Sequence, residues 1–234
     1  MPCLVVAGPH EFLPDDPFLY GHHAQGEKKN SMPPAADAKI ALAAYNLTHT
    51  DAGWMSPKSA QWFMQNAGSL PAGFSQVNDT PVSRVFGSPA GKIGIVFFPE
   101  GPVPGKGPTP EQAQACLAAG KKLQKGCALV IGVSPWGYVG ERDFLPLAQG
   151  VFNCLFGGGE GVGFGFTVPE KTPDVLWLRP DSKGRAVNVL ELYTLPRQGE
   201  AWKENTHFGA WLEFLDNSFT ADPDVLRIVG NAPK

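Results

Sequence analysis

LVIGVSPWGYVGERDFLPLAQGVFNCLFGGGEGVGFG, residues 129–165, is the stretch on which the fold of this chain turns. It holds the greater part of two apolar runs, 128–133 and 151–156, rich in Val, Ile and Phe. Each is long enough for a buried strand and too short for a helix that must bury a stripe. Ser134-Pro135 closes the first run, and glycines 157, 158, 159, 161, 163 and 165 follow the second. Glycine amides can cradle an anion, but these positions never give the G-x-G-x-x-G spacing, and no helix-forming pattern follows to supply a dipole. The glycine run therefore reads as a tight turn.

The pattern extends outward as alternating α and β elements. Thr109-Pro110-Glu111-Gln112 offers a cap, a proline at the first helical position and dipole-matching side chains, which predicts a helix over 111–125 leading into the strand at 128–133. A hairpin is expected from strands 82–86 and 92–98 around Ser88-Pro89-Ala90-Gly91. Helices are expected over 35–46 and 59–66, strands over 3–7, 175–178 and 186–195, and a turn at 181–184. An amphipathic helix is expected from 208 to 217, with 208–234 as C-terminal helix and tail. Residues 8–34 carry five prolines and three histidines without a period, too long for an ordinary connection. Apolar strands separated by helices predict sheets covered by helices, an α/β fold, and 234 residues fit one domain over 1–234.

In its order of motifs the chain resembles the calcineurin-like metallophosphoesterases, and most closely the N-terminal domain of bacterial 5′-nucleotidases. There the stretch corresponding to 129–165 is an apolar strand ending in Ser-His, a helix over an acidic–basic pair, and a second strand ending in Gly-Gly-His-x-His. Segments 38–51, 91–98, 124–134, 183–195 and 216–229 resemble family segments in the same order. The resemblance implies a sandwich of two mixed β-sheets flanked by helices. It also implies that residues 3–10 are the family's second strand, with the first strand, which bears Asp-x-His, missing from this sequence. Where the family has metal ligands, this chain has Ser134-Pro135, Gly158-Gly159-Glu160-Gly161 and Ser56-Pro57-Lys58-Ser59. Proline and glycine offer no side-chain donor to a divalent cation, and Glu160 falls on the spacer between the lost histidines.

A di-metal hydrolase needs about five to seven convergent His, Asp or Asn donors to make hydroxide from water. The expectation is therefore a catalytically inactive 5′-nucleotidase-like domain, with no catalytic, cofactor or metal residues, acting as a binding or interaction module. The alternative is a phosphoester hydrolase with a reduced site of His10, Glu11 and Asp51, or one completed upstream of Met1, holding a single divalent metal such as Mn or Zn. A residual pocket is expected from His10, Glu11, Asp51, Trp54, Ser134, Trp136, Gly158, Gly159 and Glu160. Trp54 and Trp136 would stand on its surrounding loops and stack a ring or anchor a partner. The opposing reading has both indoles plugging the space left by the metals.

A net charge of −3 with no basic stripe argues against a nucleic-acid partner, leaving a small ligand or a protein. The longest apolar runs are far short of a membrane span. The sequence as given reads as soluble and cytoplasmic, or periplasmic if a signal peptide precedes Met1. Cysteines 3, 116, 127 and 154 lack C-x-x-C spacing, which excludes a zinc ribbon or thioredoxin-type pair. Cys127 and Cys154 read as small buried hydrophobes, and Cys3 leaves open a redox or assembly role.

Overall fold

The computed structural model describes residues 3–9, 35–103, 106–180, 186–197, 199–216 and 218–230. His10, Glu11, most of the 8–34 stretch and the turn expected at 181–184 lie outside them. The chain expected to form one domain gathers its contacts into two compact units: Cys3–Gln76 with Asp216–Lys234, and Val77–Leu215.

The first unit carries β1 (Val6–Ala7), β2 (Ala52–Met55) and β3 (Phe74–Gln76) in one parallel sheet, with α1 (Ala35–Leu47), α2 (Pro57–Ala67) and α5 (Pro223–Gly230). Its core packs Ala38, Met55, Ala60, Trp62, Phe63 and Phe74. Gly53 is required here, because a Cβ would lie 2.4 Å from the Phe74 ring.

The second unit is built on a mixed six-stranded sheet in the order β4-β5-β6-β7-β9-β8. Its strands are β4 (Val82–Ser88), β5 (Gly91–Phe97), β6 (Leu129–Ser134), β7 (Cys154–Gly157), β8 (Gly165–Thr167) and β9 (Leu176–Arg179). β5, β6, β7 and β9 run parallel, with α3 (Pro110–Gln124) and α4 (Gly137–Ala148) as the crossovers from β5 to β6 and from β6 to β7, and the chain from β7 to β9 passing through β8. β4 and β8 are antiparallel edges. α3 begins with the expected cap: Thr109 Oγ1 accepts from the Gln112 N–H and the Gln112 side chain accepts from the Thr109 N–H. α4 turns Gly137, Gly140, Glu141, Phe144, Leu145 and Ala148 inward, a stripe at helical spacing. The core around it holds Val96, Phe98, Cys116, Val130, Trp136, Phe144 and Trp177.

The segment expected as a helix over 208–217 is instead β11 (Phe208–Phe214), paired antiparallel with β10 (Ala186–Leu192) from Leu192↔Phe208 to Ala186↔Phe214. Aromatic residues and an interior Gly209 favour the strand, and a ready partner outweighs the helical spacing. The terminal helix lies further on, where Asp222 Oδ1 accepts the N–H groups of Asp224 and Val225 and Pro223 takes the first position of α5. The α/β class is as expected, with the strands of the described residues in three sheets.

Candidate functional site

The turns after β6 and β7 emerge side by side, because Ser134 and Gly157 are register partners. Ser134 is fully buried, and its hydroxyl accepts the Trp136 N–H at 3.2 Å. Trp136 begins α4 without a side-chain cap. Its indole Nε1 donates to the Pro99 carbonyl at 2.7 Å, and its ring packs against Phe98 and Phe144 with centroids 4.7 and 5.0 Å away. Trp136 is 1% exposed.

The glycine loop faces inward with its carbonyls. At the start of α4, where helical N–H groups lack intrahelical partners, Gly137 donates to the Gly158 oxygen at 3.0 Å and Tyr138 to the Glu160 oxygen at 2.7 Å. Arg179, at the end of β9, reaches the same loop from the other side. A guanidinium has five N–H donors, and all are used. Nε donates to Val162 O, Nη1 to Glu141 Oε2 and Gly158 O, and Nη2 to Gly159 O and Glu160 O. The second Glu141 oxygen accepts the Gly158 N–H at 3.0 Å, while Oε2 also accepts Trp177 Nε1 at 2.9 Å.

Glu141 and Arg179 are both buried, with side chains 0% and 3% exposed. Burial pushes the Glu141 carboxyl up to about 7, with the Arg179 charge the largest influence against it. Each neighbour that bonds the carboxylate is a donor, so a protonated carboxyl would find no acceptor for its proton. The result is a desolvated ion pair that holds the loop closed.

The glycines make this possible. A Cβ on Gly157 would lie 1.9 Å from Glu141 Oε2, and Gly161, at φ +109°, would place one 2.5 Å from Tyr138 Cβ. Gly157→Ala is expected to cost about 1–3 kcal/mol by overpacking. Denaturant unfolding measures it directly, and an unchanged midpoint would show that Glu141 is free to shift.

In the first unit, Asp51 Oδ2 accepts the Val5 N–H at 2.8 Å, which ties β1 to the entry of β2. Trp54 lies within β2, not on a loop, and is 1% exposed. The Ser56–Ser59 turn is the N-cap of α2: Ser56 Oγ accepts the Ser59 N–H at 3.1 Å, and Pro57 stands at the first helical position. Ser134, Trp136, Gly158, Gly159 and Glu160 come together in the second unit, where Glu160 contributes its backbone and exposes its side chain. Neither indole presents a face to solvent. Cys116 and Cys154 are buried, which pushes their thiols up, and Cys3 is exposed.

The three motif positions do not fit a di-metal centre. One is a helix cap, one is a hydroxyl bonded to its own chain, and one is a loop whose carbonyls are committed to Arg179 and α4. Among the described residues no three His, Cys, Asp or Glu side chains gather to hold a metal ion. No described helix is long and apolar enough to cross a membrane.

Sequence reasoning did not single out Glu141 or Arg179. The signal was present: Glu141 shares the apolar stripe of Gly137, Phe144, Leu145 and Ala148, and an acid in a buried stripe demands a cation. Arg179 directly follows the apolar run 175–178.

No family model matches the sequence, and neither does any curated protein. Solved structures do share its fold. Sulfate thiohydrolase SoxB of Thermus thermophilus, in complex with glycerol, is similar with a TM-score of 0.58 at 13% identity, over 82% of this chain and 38% of that one. NAD nucleotidase (NadN) of Haemophilus influenzae is similar with a TM-score of 0.54 at 9% identity, over 84% of this chain and 43% of that one. The chain thus spans less than half the length of either protein and has a mixed α/β fold similar to theirs.

Proposed function

We propose that this chain is a catalytically silent 5′-nucleotidase-like domain that binds a small ligand or protein partner instead of cleaving a phosphoester. The observation that supports this is the closed glycine loop. The carbonyls of Gly158, Gly159, Glu160 and Val162 are all taken by Arg179, and Glu141 neutralises the arginine that takes them. Hydrolysis in such folds depends on metal-bound hydroxide. Here the polar atoms at the strand ends are turned to one another.

The test is hydrolysis of nucleoside monophosphates and an aryl phosphate with manganese and zinc supplied. The expected result is no turnover above background. The names thiohydrolase and nucleotidase, borne by the two proteins similar in fold, support a second reading: a hydrolase with one divalent metal held by His10, Glu11 and Asp51, or completed by residues outside this sequence. Turnover that survives repurification and disappears in His10→Ala would establish that reading instead.

A further inference from the structure

We propose that the outer face of the β10–β11 sheet binds an extended segment of a partner protein, one that carries two arginines four positions apart with an aliphatic side chain midway between them. The other face of this sheet is occupied. Asn188 Nδ2 donates to the Gly165 carbonyl of β8 at 3.1 Å, and the Phe208 ring meets Phe166 edge-on at 5.6 Å. Side chains alternate along a strand, so the opposite face carries Val187, Val189 and Glu191 from β10 and Trp211 and Glu213 from β11. Tyr193 joins them: a Cβ on Gly209, pointing out of the same face as Trp211, would lie 2.5 Å from the Tyr193 hydroxyl. That face is open to solvent, with Val187 50%, Trp211 44% and Tyr193 53% exposed. Contiguous exposed apolar side chains mark contact surfaces, and tryptophan and tyrosine are the residues that anchor them.

The charges on this face decide what covers it. The register partners Glu191↔Gly209, Val189↔Trp211 and Val187↔Glu213 form three successive rows, with a carboxylate in each outer row and an apolar pair between them. Each carboxylate stands beside an aromatic ring. Trp211 Nε1 donates to Glu213 Oε2 at 3.3 Å, and the Tyr193 hydroxyl lies over Gly209, directly across from Glu191. A guanidinium suits such a pairing, because it stacks flat on a ring while its N–H groups reach the neighbouring oxygens. Neither carboxylate has an ion pair among the described residues, and the two strands contribute no Lys, Arg or His to the face. A second copy of this chain packed symmetrically would therefore meet only like charge, and a nucleic acid would be repelled. The outer rows are about 14 Å apart by the rise of a strand. An extended segment lying along the sheet matches that spacing with arginines at its first and fifth positions, and its third side chain then rests on Val189 and Trp211.

The surface names the partner class for the proposed binding role and rests on that reading, yet it uses no residue of the closed loop. Turnover of a phosphoester would leave the surface intact, and failure of the surface to bind would leave the silence of the loop standing. The experiment is a titration of the nitrogen-15-labelled full chain with the capped peptide Ser-Arg-Thr-Val-Thr-Arg-Ser, read by NMR from amide and indole N–H signals. The expected result is saturable shifts confined to β10 and β11 and their ends, with the Trp211 indole N–H among the largest. Glu191→Gln combined with Glu213→Gln should weaken the peptide by about ten-fold at an unchanged melting temperature, as loss of two exposed charge contacts implies. Trp211→Thr, which keeps a strand-forming residue, should weaken it by a similar factor. Carboxylates with a purely structural role would instead lower the melting temperature and leave the affinity unchanged. Absence of saturable shifts, an unchanged constant in the double variant, or equal binding of a peptide of the same composition with adjacent arginines overturns the proposal. So does a peptide with serine in place of both arginines that binds as tightly, which assigns the face to a purely apolar partner. A dimer in sedimentation that Trp211→Thr dissociates assigns it to a second copy and overturns it as well.

Discussion

Arg179→Ala is expected to destabilise the protein by about 3–5 kcal/mol at pH 8, because it leaves a buried carboxylate without its cation. The melting temperature should fall by roughly 6–20 °C. Glu141 loses its partner, and the carbonyls of Gly158, Gly159, Glu160 and Val162 lose their donors together. The pH dependence has a definite sign. The Glu141 carboxyl rises from an ordinary 4.5 to about 7 in the fold. A carboxyl raised on folding contributes stability that is present at low pH and is lost as pH climbs through the folded value. Removing the arginine raises that value further, so the variant continues to lose stability above about 7, where the wild type levels off. The gap between them therefore widens from pH 7 to pH 9. Adding Glu141→Leu should recover part of the loss, since no charge then remains buried. Equal stability of wild type and Arg179→Ala at pH 8 would mean that the loop stays closed without its clamp.

Trp136→Ala should cost a similar amount, about 3–5 kcal/mol, as a large buried ring leaves a cavity among Phe98 and Phe144. Trp136→Phe should cost less, chiefly the Nε1 bond to Pro99 O. Both losses should appear in denaturant midpoints with no gain or loss of activity. An exposed ring anchoring a partner would give a different pattern, with little change in stability and accessible fluorescence quenching in the wild type.

The α/β order was legible because it rests on local rules. Thr109-Pro110 caps α3 as its residue types require, and the apolar runs around 128–133 and 151–156 became β6 and β7. Short strands escaped. β3 and β8 have three residues each, too few for a period to declare itself. β11 misled because Phe208, Trp211, Leu212 and Leu215 recur at helical spacing, while the strand that pairs with it begins 22 positions earlier in the sequence. That Pro135, Gly158, Gly159 and Gly161 bring no side-chain donor was also legible. The pair that closes the loop was not, because Arg179 and Glu141 are 38 residues apart and neither makes local sense alone. The two tryptophans assigned to loops show the same limit. Trp54 belongs to a four-residue strand buried along its whole length, and Trp136 turns into the core at the N-cap of α4.

Metal stoichiometry tests most directly whether protein atoms have taken the place of the metal centre. The full chain, purified with manganese and zinc present and passed through a desalting column, is analysed by inductively coupled plasma mass spectrometry. A loop committed to Arg179 and α4 predicts well under one equivalent of either metal, unchanged in Gly157→Ala. Two tightly held equivalents per chain would contradict it.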